Sequence, residues 1–468
     1  MEIWQRTVTA LAADIRDGRI TASEVARVSL DRAERLGSRL RSIATLDPDR
    51  VLAEAAAADA DLAAGRLRGP LHGVPVGIKD ICDVAGYETG NGSRLTTGQS
   101  GPAAADCVVV GRLRAAGAIV LAKTETHEFA IGGPDPTLPT GPARNPWNLD
   151  HYPGGSSSGS GASVAAAIVP AAIGTDTGGS IRIPSAYCGL AGMKPTYGRV
   201  SRRGISPLAW SLDHAGPMTW TMADNALMLN AISGYDAGDP GSAAARVPDF
   251  LSGIDAGVAG LRIGVMAGWV EDCAGRLSPE VTAALDAAAG ALRAAGAEIG
   301  EWRGSPVQDF IAVNRVMLLA EAFTVHEQDF RTRPGIFGPF LRERLAVGAL
   351  LSAADYIQAL RRRQEMIAEF AAAFRDFDLL LCLSGASDAP VAAAQKPGTM
   401  LSGLNLTGPF NVTGNPVLSA PCGPDAGGLP ASVQIVAAPF QEALAYRAGR
   451  VIERALGARD LRPDIAFS

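Results

Sequence analysis

Between "GVPVGIKDI" (73–81) and residue 236 the chain alternates short apolar runs, such as "AIVLAK" at 118–123, with glycine-rich loops and alanine-rich helical stretches. Apolar runs of this length are too short for buried helices. Each reads as a strand followed by a helix, and several in series build a sheet that helices cover on both faces. The predicted fold is therefore α/β, a single large domain around a central mixed, mostly parallel β-sheet. With 468 residues, 47% of them hydrophobic, the chain can fill such a core. No short repeat and no polar linker divides it.

The flanks fit around this unit. Residues 1–65 read as a helical wrap: Thr21 and Glu24 form a capping-box pattern ahead of "VARVSLDRAERL", and "PDRVLAEAAAADADLAAG" ends at a glycine. The catalytic core is expected over 70–235, and a βαβ addition over 255–305, with strands at 261–266 and 297–302 around a helix near 278–294. Residues 306–468 form a variable part that completes sheet and pocket: helices over 311–375, a buried strand in "DFDLLLCLS", strands in "NPVLSAPCG" and "ASVQIVAAP", and a closing helix "QEALAYRAGRVIERAL".

Charge and cysteine usage exclude several function classes. The 42 basic and 48 acidic residues are well mixed, which argues against nucleic-acid or membrane partners and for small-molecule ones. The first residues, "MEIWQRTVTALAADIRDGRI", carry charges through a short apolar patch, unlike a secretory signal, and no run approaches the roughly 18 apolar residues of a membrane span. A cytoplasmic protein is expected. The six cysteines lie far apart without a CxxC, so free thiols are expected rather than disulfides or zinc ligands. His72, His127, His151, His214 and His326 show no metal-site spacing. Neither metal nor organic cofactor is expected.

Two glycine-serine stretches carry the chemistry. "GGSSSGS" (154–160) is compatible with a phosphate cradle, a flexible loop or hydrolytic machinery. It lacks the Gly-Lys-Ser/Thr of a P-loop, and no GxGxxG follows. "GTDTGGSIRIPS" (174–185) offers successive backbone N–H groups at Thr177, Gly178 and Gly179 ahead of Ser180, the arrangement that a nucleophile beside an oxyanion hole needs. A serine nucleophile also needs a base. Only Lys79, Lys123, Lys194 and Lys396 are lysine among the 42 basic residues, so each marks a place where arginine did not suffice. In "GVPVGIKDI", strand alternation puts Val74, Val76 and Ile78 on one face and Pro75, Gly77 and Lys79 on the other. Desolvated there, Lys79 would be neutral enough to accept a proton; the alternative is an ion pair with Asp80.

"GVPVGIKD", "RNPWNLDHYPGGSSSGSGASVAAAIVPAAIGTDTGGSIRIPSAYCGLAGMKPTYGRVS", "PLAWSLDHAGPMT" and "GPFNVTGNPVLSAPCG" together resemble the amidase signature family, closely from about 70 to 235 and more loosely beyond. The resemblance implies a hydrolase of C–N bonds with a Ser-cis-Ser-Lys triad: Ser180 as nucleophile, Ser156 as bridge after a cis Gly155–Ser156 peptide, and Lys79 as base. It implies an oxyanion hole from the N–H groups of Thr177, Gly178, Gly179 and Ser180. Asp176 and Arg182 flank the nucleophile as a supporting ion pair. Ala130 and Ile131 align with a substrate-facing segment, and Trp210, Phe410 and Asn411 are further substrate-binding candidates. The expected reaction is hydrolysis of a small, neutral carboxylic amide, with esters and carbamates as further substrates, by a monomer or homodimer. The rival within the family is a glutamine-hydrolysing component of an amidotransferase complex, from which "MLLAEAFTVHEQDF" (317–330) departs. Outside it stands a binding or scaffold protein with a dead site.

Overall fold

The apolar runs form eleven strands of one sheet: β1 (Ile43–Leu46), β2 (Pro75–Lys79), β3 (Ile119–Thr124), β4 (Ala171–Asp176), β5 (Ala191–Lys194), β6 (His214–Thr219), β7 (Arg262–Val265), β8 (Glu298–Glu301), β9 (Leu379–Leu383), β10 (Val417–Pro424) and β11 (Pro430–Ala437). These come from a computed structural model that describes residues 2–398, 403–458 and 461–467. The strand order is β1-β3-β2-β4-β6-β5-β10-β11-β9-β7-β8. Side chains of β3 alternate between two apolar cores, Val120 entering one and Ile119 and Leu121 the other. That is why its pattern is continuous rather than alternating: both faces are covered.

The sheet is mixed, as expected, but mostly antiparallel. Parallel pairing is confined to β2 with β3 and β4, and to β7 with β8 and β9. The antiparallel remainder arises where β1 pairs with β3, where β6 inserts between β4 and β5, where β5 pairs with β10, where β10 and β11 form a hairpin, and where β11 pairs with β9. The helix-rich rhythm counted crossovers, and it gave no weight to strands that return through loops. A second difference lies in the N-terminal wrap. It contains helices Val8–Arg16, Ala22–Leu40 and Pro48–Ala63, yet between the last two Ile43–Leu46 pairs with β3 as the sheet's edge strand. The capping box at Thr21 and Glu24 is present. The βαβ unit of β7 and β8, around the helix Pro279–Ala294, extends the same sheet.

The parallel trio β3-β2-β4 matters for function. In such an arrangement the loops beyond the strands' carboxyl ends form a crevice. Lys79 ends β2 and Asp176 ends β4. Gly77 is required by packing, because a Cβ there would meet Thr124 Cγ2 at 2.9 Å and Ala172 Cβ at 3.3 Å.

Candidate active site

Beyond β2 and β4 the chain brings together two serine loops and one lysine. The first loop carries a cis peptide at Gly155–Ser156 and enters the helix Ser158–Ala165. Gly155 cannot be replaced by a larger residue, since a Cβ would fall 2.2 Å from His127 Cε1. Lys79 is fully buried, and its Nζ lies 2.7 Å from Ser156 Oγ and 2.8 Å from Thr175 Oγ1. No carboxylate of the described residues lies within ion-pair distance of it, and Asp80, its neighbour in sequence, pairs with Lys123 at 2.8 Å. Burial pushes the Lys79 pKa down to about 7. A large part of its population is therefore neutral at physiological pH, with a lone pair to offer.

The second loop is pinned from below and from outside. Asp176 accepts from the N–H of Gly179 (2.8 Å), Ile181 and Arg182, and pairs with the Arg182 guanidinium at 2.9 Å, both side chains fully buried. Burial opposes the Asp176 carboxylate, but Arg182 and the bonds around it outweigh that and hold its pKa below the usual range. Arg182 also donates to Thr407 O, Gln434 Oε1 and Asn411 Oδ1, tying the loop to the C-terminal part of the sheet. From outside, Asn314 Nδ2 donates to Thr177 O, and Asn405 Nδ2 and Thr407 Oγ1 donate to Gly178 O.

Holding those carbonyls fixes the peptide planes. The N–H groups of Thr177, Gly178 and Ser180 make no hydrogen bond among the described residues, whereas Gly179 N–H is committed to Asp176. Of the four N–H groups expected from the resemblance to form the oxyanion hole, that of Gly179 is thus engaged within the loop. Its φ of +124° and a virtual Cβ only 1.9 Å from Thr407 Oγ1 make it glycine by necessity.

Both loops open on one cavity of about 370 Å³, which Ser156, Ser180, Ala130 and Ile131 line, while Lys79 stands behind Ser156. Ser157 and Ser158 face inward, donating to Thr175 O and Glu125 Oε2. The triplet thus presents only its first member to the cavity. Phe410 and Asn411 are not on the wall. Phe410 is buried against Trp269 and Phe370, and Asn411 belongs to the Asp176–Arg182 network. Trp210 is 47% exposed and borders a second cavity, which shares Ala130, Thr177 and Leu208 with the first.

The sequence reading missed several contributors. Thr175 precedes Asp176 on an apolar strand and carries no motif of its own. His127 lines the cavity with Nε2 2.9 Å from Tyr152 Oη, while its backbone N–H donates to Ser156 O. Burial drives its pKa down to about 3, so it stands neutral. Asn314, Asn405 and Thr407 are single polar residues more than a hundred positions from the loop they hold.

Comparison with known proteins agrees with this geometry. The model of the Amidase family matches residues 24–445. The chain is 38% identical over 448 residues to AtzE of the 1-carboxybiuret hydrolase from Pseudomonas sp. (strain ADP), covering 94% of this chain and 96% of that protein. It is 36% identical to a glutamyl-tRNA(Gln) amidotransferase subunit of Chloroflexus aggregans, over 99% of each. Among solved structures, the peptide amidase from Stenotrophomonas maltophilia superposes with a TM-score of 0.83 at 31% identity, over 98% of each chain. Match, coverage and fold agree that this chain belongs to the amidase signature family, whose members hydrolyse the C–N bonds of amides.

Proposed function

We propose that this protein hydrolyses a small carboxylic amide through an acyl-enzyme on Ser180, with esters and carbamates as further acyl donors. The observation that carries the reading is Lys79: a buried lysine with hydroxyls beside it and no carboxylate of the described residues within ion-pair distance, in contact with a serine that shares a cavity wall with Ser180. Neutral Lys79 accepts the Ser156 proton as Ser156 accepts that of Ser180, and Ser180 Oγ attacks the carbonyl carbon. The oxyanion that forms is received by the N–H groups of Thr177, Gly178 and Ser180. Return of the proton through Ser156 to the leaving nitrogen breaks the C–N bond. Water then adds to the ester by the same relay, releasing the acid and restoring Ser180.

Asp176 and Arg182 support the loop without reacting, and Ala130 and Ile131 form an apolar wall beside the acyl carbon. The protein acts as a monomer or homodimer in the cytoplasm on small molecules, a setting that its six free cysteines fit. Among the described residues no helix is long and apolar enough to cross a membrane.

The amidotransferase reading draws on the Chloroflexus relative, named for glutamyl-tRNA(Gln) amidotransferase. Glutamine, however, brings an α-ammonium, and no aspartate or glutamate of the described residues lines the cavity to receive it. The test is a panel of amides, anilides, esters and carbamates on the purified chain, beside labelling by a serine-directed fluorophosphonate. Hydrolysis by the chain alone, unaffected by chelators, with the label on Ser180, is expected. Glutamine hydrolysis that appears only with a second protein chain would replace this reading with the amidotransferase one.

A further inference from the structure

Two buried side chains on the cavity wall have no part in the relay. Tyr152 and His127 both line the cavity, with Tyr152 Oη 2.9 Å from His127 Nε2. Both abut the cis peptide, since a Cβ on Gly155 would fall 2.4 Å from His127 Nε2 and 2.5 Å from Tyr152 Oη. The leaving nitrogen must come to the same place. Ser156 hands it the proton that lets the C–N bond break, so the nitrogen lies against Ser156 Oγ as it departs.

What Tyr152 offers there depends on where its one proton points. Burial keeps the His127 ring neutral and pushes the Tyr152 phenol pKa up, so each side chain carries a single exchangeable proton at neutral pH. The Gly132 backbone, whose carbonyl also accepts from Arg344 Nη1, favours a proton on the imidazole. With that proton on Nδ1, Nε2 is an acceptor and takes the phenol proton. Tyr152 Oη is then left with lone pairs alone for the cavity. The neighbouring carbonyl, Ser156 O, is already engaged by the N–H of His127 and by Thr126 Oγ1.

We propose that Tyr152, oriented by His127, accepts a hydrogen bond from the N–H of the scissile amide and so favours amides that carry one over esters and N,N-disubstituted amides. This rests on the amidase reading of the same cavity and ranks its acyl donors. As the amide carbon becomes tetrahedral, the nitrogen's lone pair and its hydrogen point in different directions. Anchoring the hydrogen on Tyr152 turns the lone pair toward Ser156, which protonates it. An ester oxygen has no hydrogen to give and meets the phenol lone pairs instead. An N-methyl group also leaves that oxygen without a donor, and a buried polar atom left unpaired is costly. Tyr152 touches the substrate, whereas His127 is a positioning residue that acts through it.

The experiment compares kcat/KM for p-nitroacetanilide, its N-methyl derivative and p-nitrophenyl acetate in the wild type, Tyr152→Phe and His127→Leu. Beside these, the rate at which a fluorophosphonate labels Ser180 tests the relay without a leaving nitrogen. The wild type should favour the N–H anilide over the N-methyl one by about 100-fold. Tyr152→Phe should lower the anilide-to-ester ratio by about 30-fold, mainly through kcat, and narrow the N-methyl gap as much, while labelling slows far less. His127→Leu frees the phenol proton but keeps the oxygen, and should lower the same ratio by only about fivefold. Equal use of the two anilides, labelling of Ser180 without anilide turnover, or a Tyr152→Phe loss that is the same for anilide, ester and label would overturn the proposal. Should Tyr152→Phe not fold, His127→Leu and the wild-type comparison of the two anilides decide. A Ser180 that neither labels nor turns over any of the three probes defeats the amidase reading beneath instead.

Discussion

Two lysines end up buried on adjacent strands, and the surroundings of each decide what it can do. Lys123 on β3 lies 2.8 Å from Asp80 Oδ1 and donates to Glu88 O at 3.0 Å. Lys79 on β2, one strand away, makes its side-chain hydrogen bonds among the described residues to the hydroxyls of Ser156 and Thr175. Both side chains are fully buried. A carboxylate stabilises the ammonium form in place, which makes the Lys123 corner a structural ion pair; hydroxyls do so far less, and burial then brings the Lys79 pKa to about 7. Desolvation alone therefore does not make a base. Desolvation together with the commitment of the adjoining carboxylate in the sequence, Asp80, to another lysine does.

The largest effect that could break this contrast comes from exchanging the cations. Lys79→Ala and Lys79→Arg should each lower kcat by about 10³-fold or more, since a guanidinium cannot give up its proton at neutral pH. Ser180→Ala should be at least as severe and should abolish fluorophosphonate labelling. A Lys79→Arg enzyme that kept most of its rate would end the case for a lysine base. At the other corner, Lys123→Met should act on stability. It strands the buried Asp80, at a cost of about 3–5 kcal/mol read from urea denaturation, while turnover per folded molecule changes little. Adding Asp80→Asn should recover much of that loss. If Lys123→Met instead removed activity from a fully folded protein, the two lysines would not divide structure and chemistry as argued.

How far the sequence could carry these distinctions differs across the chain. Lys79 and Ser180 stood out locally as candidates, one on a strand face among apolar neighbours and the other after two glycines, whereas Ser156 was picked from its triplet only through the family resemblance; the strands were legible because apolar runs bounded by turns are local signals. The partner of Asp80 was not legible. Asp80 follows Lys79 directly, which invites pairing them, yet successive side chains on extended chain point to opposite sides, and the parallel neighbour β3 supplies Lys123 instead. The mostly antiparallel sheet was missed for a similar reason: strand direction depends on which neighbours the chain returns to, and no local pattern records that. Asn314, Arg344 and Asn405 look like solvent-facing polar residues until the segments that bear them close over the cavity and the loop at Thr177–Gly179. Gly179 was legible as a glycine that the loop needs, but not as one whose N–H is already taken.

The smallest effect tests the finest part of the contrast, the second hydroxyl beside Lys79. Thr175 Oγ1 accepts from Nζ and so orients the amine toward Ser156; it also stabilises the ammonium form slightly. Thr175→Val keeps the shape but removes that acceptor, and two consequences should follow. The plateau rate should fall about tenfold, because the lone pair is no longer held on the Ser156 proton, while KM moves little. The acid limb of the pH–rate profile, expected near 7 in the wild type from the depressed Lys79 pKa, should shift to lower pH, since the charged form loses a partner and the site becomes drier. Thr175→Ser should restore both. A side chain that only filled space would leave both plateau and limb where they are, and a limb that moved upward would mean that Thr175 favours the neutral amine, the reverse of the role assigned to it.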